Sequence, residues 1–326
     1  MRAVICKSFD GGPDDLVVEE VPDPQAKDGE IVVAMKAAGV NFADTLMLKG
    51  KYQATPPLPF SPGMEFSGEV VEVGAGVTGF KVGDRVYGNK GHGAFAEKVA
   101  LPAAMATPIP EKMDWPTAAT FIVAYGTSHY GLKAKAGLKA GEWLVVNGAA
   151  GGVGLTAVEV GKILGAKVIA LAGGPEKLEI AKSRGADYLI DYRTEDVKAR
   201  IKEITGGHGA DVIYDPVGGQ AFQDAFRAIA LRGRILIIGF ASGDIPQLPA
   251  NILLVKNVTA IGYYWGGLHP LEPEGIRASN EELFKWWAEG KIDPHVSKTY
   301  TLDQAGDAIK ALMERKSTGK VAVVTG

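Results

Sequence analysis

Apolar and polar positions divide this chain into two patterns. From the amino terminus to Val40, short alternating or apolar runs (RAVIC, DLVVEEV, EIVVAMKAAGV) are separated by the turn clusters DGGPDD and PDPQAKDGE. Runs of this kind, bounded by Gly, Pro and Asp, predict strands joined by turns. ATPPLPFSPGMEFSGEVVEVGAGVTGFKVGDRVYG extends the pattern, because its prolines oppose helix and its glycines and aspartates mark hairpins and bends. Roughly the first 120 residues therefore predict a mainly β unit.

From Trp143 onward the period changes. Six short apolar runs, WLVVN, AKVIALA, DYLID, ADVIYD, RILIIG and VTAIGY, read as strands. VGLTAVEVGKILG, PEKLEIAKSRG, EDVKARIKEITG and GQAFQDAFRAIALRG lie between them, with apolar residues three and four apart and glycine at or near the end. These read as helices. Alternating strands and helices predict parallel strands with right-handed crossovers, and six of them make a doubly wound nucleotide-binding sheet. After VTAIGYYWGGL the alternation stops: SNEELFKWWAEG and DQAGDAIKALMERK read as helices, HVSKTYTL and GKVAVVTG as strands. So short a tail is expected to return to the first domain. The α/β cofactor domain is thus read as an insertion into a discontinuous β domain, with a cleft between the two.

Length fits this organisation, since 326 residues exceed the usual size of one domain. With 46% hydrophobic and 22% charged residues, the composition is that of an ordinary globular protein. A formal charge of -3 gives no electrostatic reason to expect nucleic acid or an anionic membrane as a partner, and neither is expected. MRAVICKSFDGG lacks the apolar core of a secretory signal, and no apolar run is long enough to span a bilayer as a helix; a cytoplasmic location is expected. Cys6 is the only cysteine, which excludes an intrachain disulfide and a zinc site made of several thiolates.

The candidate chemistry is concentrated in NGAAGGVG, between the first α/β strand and its helix. In a dinucleotide fold the first glycine permits a tight turn, the second admits the pyrophosphate and the third lets helix pack on strand. Gly151 and Gly154 fit the second and third places; Ala149 departs from the first, where Gly148 can supply the turn. The amides of Gly152 and Val153, with the positive end of the helix dipole, face the diphosphate in this reading. Enzymes preferring the unphosphorylated cofactor place an acid about 20 residues beyond the motif. Here the second strand ends in Gly173 and Gly174 without one. That favours NADPH, with Lys177 as a point charge for its 2′-phosphate or, alternatively, as a solvated helix residue.

The segments GVNFADTLMLKGKY, PGMEFSGEVVEVGAGV, KVGDRVYG, GAFAEKV, YGTSHYGL, VVNGAAGGVG, DPVGG and ERKSTGKVAVV occur in this order along essentially the whole chain. Together they resemble the quinone oxidoreductase (zeta-crystallin-like) branch of the medium-chain dehydrogenase/reductase superfamily. The resemblance implies a six-stranded Rossmann domain, 125–265, inserted into a chaperonin-ten-like (GroES-like) domain, 1–124 plus 266–326. It also implies a homodimer formed by sheet extension. Where the superfamily's zinc alcohol dehydrogenases carry a catalytic cysteine and a histidine, this chain has Asn41 and Met64, and their cysteine-rich lobe is missing. His92, His129, His208, His269 and His295 are not spaced as a metal motif. No metal is therefore expected. Without a Lewis acid to polarise a carbonyl, the acceptor is expected to be a quinone or an activated alkene.

By the same resemblance, Asn41 and Tyr52 line the nicotinamide and substrate site, and Thr127 lies close to the nicotinamide. Lys177, Tyr192 and Arg315 match the 2′-phosphate ligands, and Phe240 and Val217 border the bound cofactor. Each keeps a plainer alternative: a helix cap for Asn41 and Thr127, loop or core packing for Tyr52, Phe240 and Val217. Tyr263, Tyr264 and Trp265 either wall the cleft or pack together. The leading expectation is an NADPH-dependent quinone reductase. Reduction of enals, enones or enoyl thioesters is the near alternative, and a non-catalytic NADPH-binding or RNA-binding role is the distant one.

Overall fold

The computed structural model describes residues 1–325; Gly326, the last residue of the predicted final strand, lies outside the described residues. The chain divides into two compact units, one comprising Met1–Val123 and the chain from His295 onward, the other Ala124–Pro294.

The second unit is built on six parallel strands, Trp143–Asn147, Lys167–Ala172, Tyr188–Asp191, Ala210–Asp215, Ile229–Ile237 and Thr259–Gly262. Numbered in that order, their order across the sheet is 3-2-1-4-5-6, the doubly wound arrangement. Helices on the sheet bury both faces, so the strands are continuous aliphatic runs: Leu144, Val145, Val146, Val168, Ile169, Val212, Ile213, Ile235 and Leu236 are all fully buried. Phe222 and Phe226 stack in the core with ring centroids 5.8 Å apart.

Several boundaries differ from the expectation. The helix predicted through GQAFQDAFRAIALRG ends at Arg227, and the strand starts at Ile229, because Ile229 pairs with Ala210 ahead of a register irregularity. Helix Trp115–Tyr130 was not legible: its sequence is apolar nearly all round and shows no single face. Asp114 begins it by accepting the Thr117 N–H at 2.9 Å.

Residues 266–294 also need correcting, since they belong to the second unit rather than to the first. Helix Pro273–Ala288 carries Ser279, whose hydroxyl lies 2.7 Å from His129 Nδ1, and Glu282, whose carboxylate lies 3.1 Å from His129 Nε2. Trp286 meets the His129 ring edge-on at 4.9 Å. His129 is a buried core residue, which its sequence context did not reveal.

The first unit contains a seven-stranded sheet and the two-stranded pair Arg2–Ile5 and Val17–Glu20. Strand Glu30–Gly39 is its centre, pairing antiparallel with Glu65–Val73, Lys98–Pro102 and Lys320–Val324. The tail thus returns to the first unit, where Val296–Thr301 pairs in parallel with Lys320–Val324. The core holds Ile31, Val33, Met35, Phe66, Val70, Phe95, Leu101 and Val321. Among the described residues, no helix is long and apolar enough to cross a membrane.

Candidate functional site

The glycine cluster is a tight strand-to-helix turn. Gly148 has φ +60, a conformation costly for residues with a side chain, so it rather than Ala149 supplies the bend. Gly151 caps helix Gly152–Ile163, and its amide donates to Gly148 O at 2.9 Å. A Cβ on Gly154 would lie 2.1 Å from Gly148 O, so only glycine lets the helix approach the turn. A Cβ on Gly151 would meet nothing closer than Gly148 O at 3.3 Å. Its glycine is therefore not required by packing within the turn. Gly152 and Val153 form the first helical turn, whose amides have no intrahelical acceptor.

Asn147 and Asp215 end the two central strands and meet at the point where strand order reverses, the place ligands favour in such sheets. Asn147 Nδ2 donates to Asp215 Oδ1 at 2.7 Å, and Asn147 Oδ1 is buried without a partner. Burial raises the Asp215 carboxyl, with Asn147 and the amides of Gly218 and Val217 opposing. Val217 reaches back to the turn, its Cγ2 2.7 Å from where a Gly148 Cβ would stand. The loop bearing Phe240 crosses here too, with Ser242 N donating to Val217 O at 2.9 Å. Thr127 is buried on helix Trp115–Tyr130. The next residue, Ser128, lies within hydrogen-bond distance of Val153 O, Thr156 and Tyr214.

At the tip of the second strand, Gly173 would place a Cβ 2.7 Å from the Tyr192 hydroxyl, so Tyr192 and the Gly173–Gly174 turn come together. Lys177 lies in the first turn of the helix that follows, Pro175–Ser183. Two neighbours were missed. The Arg193 guanidinium donates to Gly173 O, and Asp191 Oδ2 accepts the Gly174 N–H at 3.1 Å. The tip thus does have a carboxylate, supplied by the adjacent strand and engaged with amides, and so out of reach of a pattern read along the second strand alone.

In the first unit, Asn41 occupies the N-cap position of helix Phe42–Met47, yet its side chain does not cap. Asn41 Nδ2 donates to Glu65 Oε1 at 2.9 Å, and Asn41 Oδ1 accepts from Lys320 Nζ at 2.6 Å. The helix start is held instead by Asp44, which accepts the Asn41 N–H at 2.8 Å and the Gly63 N–H at 3.2 Å. Burial pushes the Asp44 carboxyl up to about 7 against those amides and Lys320. Tyr52 packs its ring on the first unit's core, and Arg315 takes a left-handed backbone, φ 55, beyond helix Ala305–Met313. Tyr263 and Trp265 are buried against Gly131 and Gly126, while Tyr264 is 46% exposed. The packing alternative therefore fits the first two.

Glu65 and Lys320 were the residues sequence reasoning missed in this unit. Each opens an apolar strand, a position that reads as a solvated strand end. A surface pocket of about 350 Å³ lined by Lys202, Gly207, His208, Ile229, Leu231 and Lys256 is not the cofactor site, since it lies at the start of the Ile229–Ile237 strand.

Two family profiles match: the alcohol dehydrogenase GroES-like domain over residues 27–111 and the zinc-binding dehydrogenase over 152–281. A quinone oxidoreductase-like protein 2 homolog of Nematostella vectensis is 44% identical over 99% of this chain and 89% of its own. The crystal structure of Escherichia coli quinone oxidoreductase complexed with NADPH superposes with TM-score 0.93 at 32% identity, covering 99% and 100% of the two chains. The structure of CurK enoyl reductase superposes with TM-score 0.89 at 25% identity, covering 100% and 99%.

The zinc implied by the second profile does not suit the residues present. Glu65, the carboxylate beside Asn41, is already met by the Lys320 ammonium at 3.0 Å and the Tyr87 hydroxyl at 3.3 Å. A cation so placed repels a second one. Met64 packs its thioether against the core, and Cys6, the sole thiol, is buried with its Sγ on Ser8 O. Among the described residues no three His, Cys, Asp or Glu side chains form a group able to hold a metal ion.

Proposed function

The chain belongs to the quinone oxidoreductase branch of the medium-chain dehydrogenase/reductase superfamily, and from that premise we propose that it is an NADPH-dependent, zinc-independent quinone reductase. The observation that carries the reading is the Asn41–Glu65–Lys320 cluster, in which the carboxylate beside Asn41 is already paired with an ammonium. Such a site suits an acceptor that accepts hydride without Lewis-acid polarisation. NADPH when bound supplies the hydride.

The residues divide the work by chemistry. Gly151, Gly152, Val153 and Gly154 hold the diphosphate on the helix amides. Lys177, Tyr192 and Arg315 are assigned to the 2′-phosphate by their chemistry, since two cations and a phenol make a sensible set for it, and Gly173 leaves room beside Tyr192. Arg193 adds a third cation close to Gly173. Thr127, Val217 and Phe240 are assigned to the nicotinamide side, Asn41 and Tyr52 to the acceptor. Two copies are proposed to pair through the outermost strand Thr259–Gly262, next to which Leu254 and Val255 are 78% and 67% exposed. The likeness to an enoyl reductase supports the second reading, reduction of the activated double bond in enals, enones or enoyl thioesters. Comparing kcat/KM on a short paired panel of ortho-quinones and enones decides between them: higher values on quinones support the first, on enones the second.

A further inference from the structure

Three adjacent strands deliver three polar residues to one point. Within the first unit, Gly39 pairs with Ala322 on one side and with Glu65 on the other. Asn41 follows two residues later, Glu65 opens its strand and Lys320 opens the third. Lys320 Nζ donates to Val40 O at 3.0 Å, Asn41 Oδ1 at 2.6 Å and Glu65 Oε1 at 3.0 Å, which uses all three of its N–H groups. Glu65 is fully buried, and Lys320 is 8% exposed. Space for the carboxylate comes from Gly39: a Cβ there would lie 2.5 Å from Glu65 Oε1 and 2.7 Å from Ala119 O.

This geometry fixes the Asn41 amide in one sense. Its oxygen faces a cation and its nitrogen an anion, and a flip would set the NH2 against the ammonium and the oxygen against the carboxylate. Of the two N–H groups of an amide, Glu65 takes one. The other is left as a donor on a half-buried side chain.

We propose that Glu65 and Lys320 are positioning residues that hold Asn41 as a one-directional hydrogen-bond donor for the carbonyl-type oxygen of the acceptor. The proposal rests on the reading of Asn41 as an acceptor-side residue. A fixed donor adds most where the acceptor oxygen gains negative charge as hydride arrives, because it need not reorient at that moment.

Two measurements on the full chain test it. In ¹⁵N-labelled protein the Asn41 carboxamide, assigned by its loss in Asn41→Asp, is expected to show two well-separated protons, the one bonded to Glu65 exchanging slowly with water. In Lys320→Met, and in Glu65→Gln/Lys320→Met, which leaves no unpaired buried charge, the separation is expected to shrink. Wild-type protons indistinguishable from those of exposed asparagines overturn the proposal whether or not the protein turns over. In turnover, Asn41→Ala and Lys320→Met are each expected to lower kcat about tenfold or more, with KM for NADPH nearly unchanged and little further loss when combined. Multiplying losses, or undiminished kcat in Asn41→Ala, overturn it while leaving the reductase reading intact. Absence of wild-type turnover on every acceptor contradicts that reading instead, and the amide spectrum still decides the orientation.

Discussion

Replacing Gly151 or Gly154 by alanine separates a merely structural turn from a phosphate cradle. At Gly154 the new Cβ would stand 2.1 Å from Gly148 O and 2.8 Å from Gly148 C, where ordinary contact begins at 3.4 Å. The turn must move by more than an ångström, and overpacking of this kind costs about 1–3 kcal/mol, offset by at most about 1 kcal/mol of helix propensity. At Gly151 the Cβ meets only Gly148 O at 3.3 Å, and φ -83 is compatible with alanine. Stability should then change by less than about 1 kcal/mol, or less than about 4 °C in the unfolding midpoint. In the proposed binding mode its methyl would nevertheless stand where the diphosphate approaches. Losing one charge-assisted hydrogen bond there costs about 1.5–3 kcal/mol, a tenfold to hundredfold rise in the NADPH Kd. Thermal unfolding without cofactor and fluorescence titration with NADPH read the two effects. Wild-type affinity in Gly151→Ala would refute the cradle, and an unchanged midpoint in Gly154→Ala would refute the packing argument.

Three further outcomes follow from the geometry. Asp44 ionises near 3.8 when unfolded but is raised to about 7 when folded, so the folded state binds the extra proton and stability falls as pH rises across that window, by up to about 1.4 kcal/mol per pH unit. Urea unfolding at several pH values should show this decline in wild type and lose it in Asp44→Asn; parallel curves would count against it. Burial holds the His129 imidazole down to about 4, with Glu282 opposing, so the second unit should lose stability as pH falls from 6.5 toward 4. Its ring-proton NMR shifts should stay those of neutral histidine at pH 5, and a midpoint near 6.5 would contradict the buried placement. Leu254→Asp/Val255→Asp should lower the mass measured by light scattering from dimer to monomer, and an unaltered mass would place any interface elsewhere.

The doubly wound sheet was legible because its strands are continuous apolar runs buried on both faces, and its glycine turn because spacing reports backbone demands directly. Helix Trp115–Tyr130 escaped for the converse reason: its buried surface is apolar nearly all round, so no periodicity marks it. Residues 266–294 were misassigned because the contacts that tie them to the second unit are far apart in sequence, those of His129 with Ser279 and Glu282 spanning 150 residues or more. Asn41 was visible as a departure from a metal-binding pattern, but its partners were not. Glu65 and Lys320 come together through strand register alone, and nothing local to either residue announces a buried ion pair.

The central claim is metal-free use of NADPH, and steady-state oxidation of NADPH by an ortho-naphthoquinone, with chelator present and NADH as control, tests it most directly. The account predicts turnover insensitive to chelator, with kcat/KM for NADPH well above that for NADH. Activity abolished by chelator and restored by zinc, or a preference for NADH, would contradict it.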